Sequence, residues 1–217
     1  MESPWLGVPL DDYEGHMNAP EVAQLGALAA LFAMALELAK PRSVAILGVA
    51  GGNGLSALDP ARAIRPLDRP LDRIVGIDIH PQYLDAVARR YPNLPGLELH
   101  RVDLANARLE IPPVELVHAA LIFEHAGTRQ CLDNAIALVQ PAGRLSVVLQ
   151  VASGSHPNVS ATPFASLQAL SADFRLVEPS HFCDTLADRG FVLDNGMHQP
   201  LPAGKAFWFG MFTRSSV

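Results

Sequence analysis

Lysine is almost missing from this chain of 217 residues. Lys40 and Lys205 are the two present, and the 14 arginines are scattered along a sequence whose formal charge is −6. A nucleic-acid binder carries a clustered basic face, so no polyanionic partner is expected. Cysteine is equally scarce. Cys131 and Cys183 lie far apart and match no ligand spacing such as C-x-x-C, and no His/Asp/Glu cluster has metal spacing. Idle thiols in a reducing compartment and no metal are the expectation. The N-terminal stretch "MESPWLGVPLDDYEGH" lacks the basic region and apolar segment of a signal peptide. The apolar run from Leu25 to Leu38 falls short of the ~20 residues that span a bilayer, and Glu37 interrupts it. A cytoplasmic, soluble protein without membrane attachment is expected.

What the chain does have is apolar residues, 49% of the total. A chain of this length buries roughly 70% of its unfolded surface, enough for one sizeable core. Residues 19–39 are rich in Ala and Leu and read as one helix, with Asn18 as N-cap and Pro41 as stop. Short apolar runs at 43–48, 73–79, 97–104, 114–121 and 143–151 read as strands. Helices are expected after the first of them, from Pro81 to about Arg90, and from the fourth strand to about Val139. Strands alternating with helices imply a doubly wound, mostly parallel sheet. The end of the chain breaks this rhythm. A helix over 179–189, with Gly190 at its end, is followed by two strands, "FVLDNGMHQP" and "KAFWFGMFTR". Their connection is so short that they must be antiparallel. The expected fold is therefore α/β, with a seven-stranded sheet, a C-terminal antiparallel hairpin and an N-terminal helical lid. It forms a single domain over 1–217: lid helix 1–40, core 41–151, insertion 152–178, helix and hairpin 179–217. Long insertions of this kind are often functional lids.

The decisive stretch is "VAILGVAGGNGLSALDP", residues 44–60. A buried strand breaks at a glycine-rich loop, and glycine lets backbone approach a ligand closely. In doubly wound sheets such a loop lies where ligands bind, beyond the carboxyl ends of the strands. A nicotinamide nucleotide is one reading, since Gly48, Gly52 and Gly54 match the G-x-x-x-G-x-G of short-chain dehydrogenases. Those enzymes need a Tyr-x-x-x-Lys pair, and Tyr13, Tyr83 and Tyr91 are followed four residues on by Met17, Val87 and Pro95.

A second set of marks agrees in order. "AILGVAGGNG", "IVGIDIHPQYLDAVARRYP", "LELHRVDLAN", "ELVHAALIFEHAG" and "ALVQPAGRLSVVLQ" resemble successive motifs of the class I S-adenosylmethionine-dependent methyltransferases, from about residue 41 to the end. The resemblance implies S-adenosyl-L-methionine as cofactor and a small-molecule methyl acceptor. It implies a cofactor site at Gly48, Val49, Ala50, Gly52 and Asn53 of the loop, at Asp78 and Ile79 at the end of the second strand, and at Asp103 and Leu104 at the end of the third. Asp78 would take the ribose hydroxyls and Asp103 the adenine amino group. Asp103 read alone is also an N-cap for a short helix at 104–108. Two positions depart from the family pattern. Ile46 stands where an acid usually faces the cofactor's ammonium group, and Ala50 replaces a glycine. The absence of Lys and Arg from 43–61 suits a nucleoside without phosphate. The rival readings are an NAD(P)-binding oxidoreductase and a non-catalytic S-adenosylmethionine-binding domain.

Methyl transfer needs a base only where the acceptor must lose a proton. The candidates are Glu124 and His125, in "IFEHAG" after the fourth strand, and His16 in "DDYEGHMNAP", where Tyr13 also lies. Histidine can take a proton near neutral pH, and a neighbouring carboxylate can orient it. His156 in the insertion is a further candidate for the acceptor pocket. His80, His100, His118, His181 and His198 read as structural, and Phe207, Trp208 and Phe209 as strand and core residues.

Overall fold

The computed structural model describes residues 3–59, 70–151, 162–172 and 174–215. Seven strands form one sheet: β1 (Ser43–Leu47), β2 (Arg73–Asp78), β3 (Leu97–Arg101), β4 (Val114–Ala120), β5 (Val139–Val151), β6 (Phe191–Pro200) and β7 (Ala206–Arg214). Their order is β3-β2-β1-β4-β5-β7-β6. The first five run parallel, and β7 pairs antiparallel with both β5 and β6. The expected α/β architecture with its C-terminal hairpin is what forms. Strand order reverses between β1 and β4, which opens a crevice at their carboxyl ends.

Alternation along the strands explains why the sheet is covered on both faces. Ala45 and Leu47 of β1 and Val75 and Ile77 of β2 point to one side. There they meet Leu132 and Leu138 of the helix Gln130–Leu138 and Phe182 and Leu186 of the helix Pro179–Ala187. Val44 and Ile46 of β1 and Ile74 of β2 point to the other side. They pack against Leu28, Phe32 and Leu36 of the helix Gln24–Ala39 and Leu84 and Val87 of the helix Pro81–Arg90. In chain order the helices are α1 (Leu10–Asn18), α2 (Gln24–Ala39), α3 (Pro81–Arg90), α4 (Phe123–Ala126), α5 (Gln130–Leu138), α6 (Ala165–Gln168) and α7 (Pro179–Ala187).

Several local expectations are corrected. The single helix over 19–39 is two. Ala19 takes the extended value ψ 137° that a residue before proline favours, so Asn18 ends α1 instead of capping α2. A 3₁₀ turn at Pro4–Gly7 precedes both. After the glycine-rich loop the described residues hold only a 3₁₀ turn, Leu55–Ala57, and residues 60–69 lie outside the described set. β3 stops at Arg101, three residues early. β5 begins at Val139, with "QPAG" as an irregularity where its register against β4 shifts. Of the insertion 152–178, residues 152–161, and His156 with them, lie outside the described residues; α6 and a 3₁₀ turn at Ala169–Ala172 follow. Among the described residues no helix is long and apolar enough to cross a membrane.

The turn that feeds β3 depends on one glycine. Gly96 has φ +72°, and a Cβ there would stand 2.6 Å from the carbonyl oxygen of Asp72. Its own carbonyl accepts the N–H of Ile74 at 2.8 Å. Gly96→Ala is therefore expected to cost about 1–3 kcal/mol of stability from backbone strain. Urea unfolding checks this; an unchanged midpoint would show that the turn tolerates a side chain.

Candidate functional site

The loop after β1 is held in its shape from below. The N–H groups of Gly48 and Val49 both donate to the carbonyl of Ile77, at 2.9 and 3.0 Å. Gly48, Gly52 and Gly54 have positive φ, and so does Ala50 at +47°. Asp78, the last residue of β2 and 8% exposed, ties the two chain segments together. Its Oδ2 accepts the N–H of Ala50 at 2.9 Å and its Oδ1 accepts that of His80 at 2.9 Å. Burial pushes the Asp78 carboxyl up, and the N–H donors of His80, Ala50 and Ile79 pull it back. A carboxylate offers about four acceptor positions, and three N–H groups already use some of them, so only part of its capacity remains for a ligand.

A cleft of about 180 Å³ opens at this edge. Of the loop residues, Gly48 and Ala50 line it, whereas Val49, Gly52 and Asn53 do not. Val49 is buried beneath the loop, and the position of Gly52 is closed by Tyr91, whose ring carbon would lie 2.7 Å from a Cβ there. Asp78, Ile79, Asp103 and Leu104 all line the cleft. Asp103 is at the same time a turn cap. It accepts the N–H of Ala105 on Oδ1 at 3.0 Å and the side-chain amide of Asn106 on Oδ2 at 2.9 Å. Ile46 is in the core at 4% exposure. No acid stands there, and the Gln24 side chain is among the groups that line the cleft. Among the described residues no group of His, Cys, Asp or Glu side chains gathers to hold a metal ion.

The N-terminal segment forms the roof. Tyr13, His16 and Met17 of α1 line the cleft together with Trp5. Three ties fix this roof. Arg90 of α3 forms a bidentate ion pair with Glu14 and donates to the carbonyl of Gly51 at 2.8 Å. The Tyr83 hydroxyl donates to the carbonyl of Val8 at 2.9 Å. Ser166 of α6 donates to Asp12 at 2.6 Å. A Cβ at Gly51 would meet Glu14 Oε1 and Arg90 Nη1, the flexible ends of the ion pair, which would have to shift. The tyrosines Tyr13 and Tyr83 stack at 6.1 Å, and burial pushes both hydroxyls upward.

The three proton-transfer candidates separate. His16 lines the cleft at 8% exposure, and burial, helped by Lys205, lowers its pKa against the opposing Glu21. His125 also lines it, held edge-on between the rings of Trp5 and Phe174 at 4.8 and 5.1 Å. Glu124 does not line the cleft. It is 1% exposed, its Oε1 accepts the N–H of Gln150 at 2.7 Å, and its Oε2 has no hydrogen-bond partner. It fastens α4 to β5. His118 is buried on the sheet, 3.0 Å from the Ser146 hydroxyl, and burial lowers it to about 3. Sequence reasoning missed Gln24, Tyr83, Gln150, Phe174 and Lys205 as lining residues. Their positions depend on how segments far apart in the chain fold onto one edge, which no local pattern encodes.

Burial raises the Glu124 carboxyl to about 7. A folded-state value above the unfolded one means that its protonated form is favoured. The stability it contributes is present below about pH 4.5 and lost as pH rises to about 7. Glu124→Gln keeps an acceptor for Gln150 and removes the titration. Relative to this variant, the parent protein is expected to lose on the order of 3 kcal/mol between pH 4.5 and pH 8. Urea unfolding of both proteins across that range measures it, and parallel stability curves would contradict it.

No family model matches the sequence. One curated relative, an uncharacterized 37.1 kDa protein in transposon TN4556 of Streptomyces fradiae, is 30% identical over 112 residues, which is 51% of this chain. The match spans 31%, about a third, of that relative's length. Solved structures are closer in shape than in sequence. The N-methyltransferase NodS from Bradyrhizobium japonicum WM9, in complex with S-adenosyl-L-homocysteine, superposes with a TM-score of 0.64 at 12% identity over 88% of this chain and 87% of that one. Magnesium protoporphyrin IX methyltransferase (ChlM) from Synechocystis PCC 6803 with bound S-adenosylmethionine gives 0.60 at 13% identity, covering 89% and 82%. The [4+2]-cyclase SpnF gives 0.64 at 12% identity, covering 87% and 81%. The sheet order, the terminal hairpin and these likenesses together show that the chain has the fold of the class I S-adenosylmethionine-dependent methyltransferases.

Proposed function

We propose that the protein is an S-adenosylmethionine-dependent methyltransferase acting on a small molecule. The observation that carries this is the alignment of three successive strand ends along one cleft. The positive-φ loop after β1, Asp78 after β2 and Asp103 after β3 follow one another in sheet order. They match the needs of an adenosine group: a close backbone approach, a carboxylate for a ribose diol, and an acceptor for an amino group beside apolar Ile79, Val102 and Leu104. The bound cofactor would supply a methyl group on a positively charged sulfonium.

The residues of the chain then have limited tasks. Gly48 and Ala50 bring backbone to the ligand, and Asp78 orients it. The roof of Trp5, Tyr13 and Met17 excludes water. Alignment of this kind is worth up to ~7–11 kcal/mol in favourable cases. Gly48, Ala50 and Asp78 would hold the group that supplies the methyl, and the cleft would align the acceptor's nucleophilic atom with it. Where that atom carries a proton, His16 is the best-placed side chain to take it, because burial keeps its imidazole neutral and it lines the cleft. His125 is the second. A dehydrogenase reading is disfavoured by chemistry: the two tyrosines of the cleft have raised pKa values, the opposite of what a tyrosine proton donor activated by lysine needs.

S-Adenosylhomocysteine is expected to raise the melting temperature, and NADP to leave it unchanged. A ligand at 100 times its dissociation constant stabilises by ~2.7 kcal/mol. A shift with NADP alone would sink the proposal. Binding without turnover of any acceptor would favour a non-catalytic cofactor-binding domain.

Asp78→Ala is expected to weaken S-adenosylhomocysteine binding about tenfold or more, since a charged hydrogen bond is worth ~1.5–3 kcal/mol. It should also lower the melting temperature of the free protein, because the buried N–H groups of Ala50 and His80 lose their acceptor. Calorimetry and thermal unfolding read the two effects separately. Unchanged affinity would remove Asp78 from the site.

A further inference from the structure

The loop that follows β3 is held by one buried amide. Residues 102–113 contain no helix or strand, yet Val102, Asp103, Leu104 and Ala105 line the cleft. Asn134 of α5 does not line it and is 1% exposed. Its Nδ2 donates to the carbonyls of Leu104 at 3.3 Å and Ala107 at 2.8 Å. Its Oδ1 accepts the N–H of Leu109 at 3.0 Å. It also accepts the side-chain amide of Gln130, one turn earlier in α5, at 3.2 Å. A side-chain amide has two donor and two acceptor positions, and all four are used.

These bonds bracket the carboxylate of Asp103. Between the two held carbonyls stand Ala105, whose N–H donates to Asp103 Oδ1, and Asn106, whose side-chain amide donates to Oδ2. The N–H groups of Asn106 and Ala107 donate back to the Asp103 carbonyl, at 3.2 and 2.8 Å. The direction of the carboxylate is therefore set by a turn whose two flanks hang from Asn134. Leu104 and Leu109 pack in the same core cluster as Leu132 and Leu138. That contact fixes the depth of the loop but not the path of its backbone, because apolar contacts are non-directional. Hydrogen bonds are directional, and a fully satisfied buried polar group specifies one arrangement. Two donors and an acceptor in one plane are what this loop needs, and an asparagine among apolar neighbours supplies them.

We propose that Asn134 is a positioning residue that makes the site selective for adenine over its deaminated form, hypoxanthine. This rests on the methyltransferase reading, in which Asp103 accepts from the adenine amino group, and adds the determinant of which base is read. A carboxylate held in one place meets an amino donor in adenine. In hypoxanthine it meets a carbonyl oxygen, and two acceptors repel. A carboxylate free to turn away evades that contact and loses the distinction.

The probes are S-adenosylhomocysteine and S-inosylhomocysteine, titrated calorimetrically into the full chain. The wild type is expected to bind the adenosyl compound about tenfold or more tightly, since a site built to bond a donor rejects an analogue that lacks it. Asn134→Leu and Asn134→Ala should reduce that preference to about threefold or less. Leu36→Ala, a core truncation in α2 on the opposite face of the sheet, should lower the melting temperature and keep the wild-type ratio. Thermal unfolding verifies that each variant is folded. Should Asn134→Leu not fold, Asn134→Ala, which leaves room for water at the vacated bonds, carries the comparison. Full preference in a folded Asn134 variant overturns the proposal and leaves Asn134 a stabilising residue only. A like loss of preference in Leu36→Ala also overturns it, because the effect would then follow stability. Equal affinity of the wild type for the two compounds overturns it as well, with cofactor binding left in place. Failure of the wild type to bind S-adenosylhomocysteine at all is a different failure, since it removes the methyltransferase reading itself.

Discussion

The carboxylate of Asp78 is the constraint on which the site depends. It ends β2, yet both of its oxygens are spent on backbone, one on the loop after β1 and one on the start of α3. Each N–H would otherwise be a buried donor without an acceptor, at about 1–3 kcal/mol apiece. The carboxylate thus fixes the loop, and the loop fixes the floor of the cleft. The same bonds hold the charge in a buried place where desolvation opposes it. On the proposed reading, the acceptor capacity that the backbone leaves over on this side chain is what a ligand would use.

The roof depends on the floor in turn. Arg90 joins Glu14 of α1 to the carbonyl of Gly51, so a helix that precedes the sheet is held on the loop by a side chain of α3. An exposed ion pair contributes little, but this one is bidentate and partly buried, and it has a carbonyl as third partner. A small separate cluster, Val8 with Leu167 and Leu170, packs the N-terminal segment on the α6 region. The roof is therefore a shared product of the two segments that lie outside the alternating strand–helix pattern.

The strands were legible because alternation and length are local. β1, β2 and β4 read directly as apolar runs bounded by Pro or Gly, and the tight link after β6 forced the antiparallel end. The helix boundaries were less so. Pro20 sits in a run of good helix formers, yet a proline pushes its predecessor out of helical geometry, and Ala19 is extended. Asp78 and Asp103 line the cleft, and the sequence places them there because a strand end is a position in sequence. Val49, Gly52 and Asn53 were placed in the site by the motif, but the motif does not say which way each residue of a loop faces. Gly51 illustrates this. Its lack of a side chain serves the Glu14–Arg90 pair, made by residues 37 positions before and 39 after it. Glu124 differs for the opposite reason: its neighbour His125 does line the cleft, and one step along a short helix turns a side chain from cleft to sheet.

The distribution of charge gives the arrangement a single electrostatic logic on the proposed reading. A sulfonium is a fixed cation, and a second cation 4 Å away would oppose its binding by ~4 kcal/mol at an effective dielectric of 20. The cleft avoids this near the loop. His16 is kept toward its neutral form by burial and by Lys205, and no arginine among the described residues lines the space. Lys205 reaches the cleft from the terminal hairpin, and burial pulls its own pKa down too, so the ionisable groups at the three strand ends are the carboxyl groups of Asp78 and Asp103, whose sign suits a cationic cofactor.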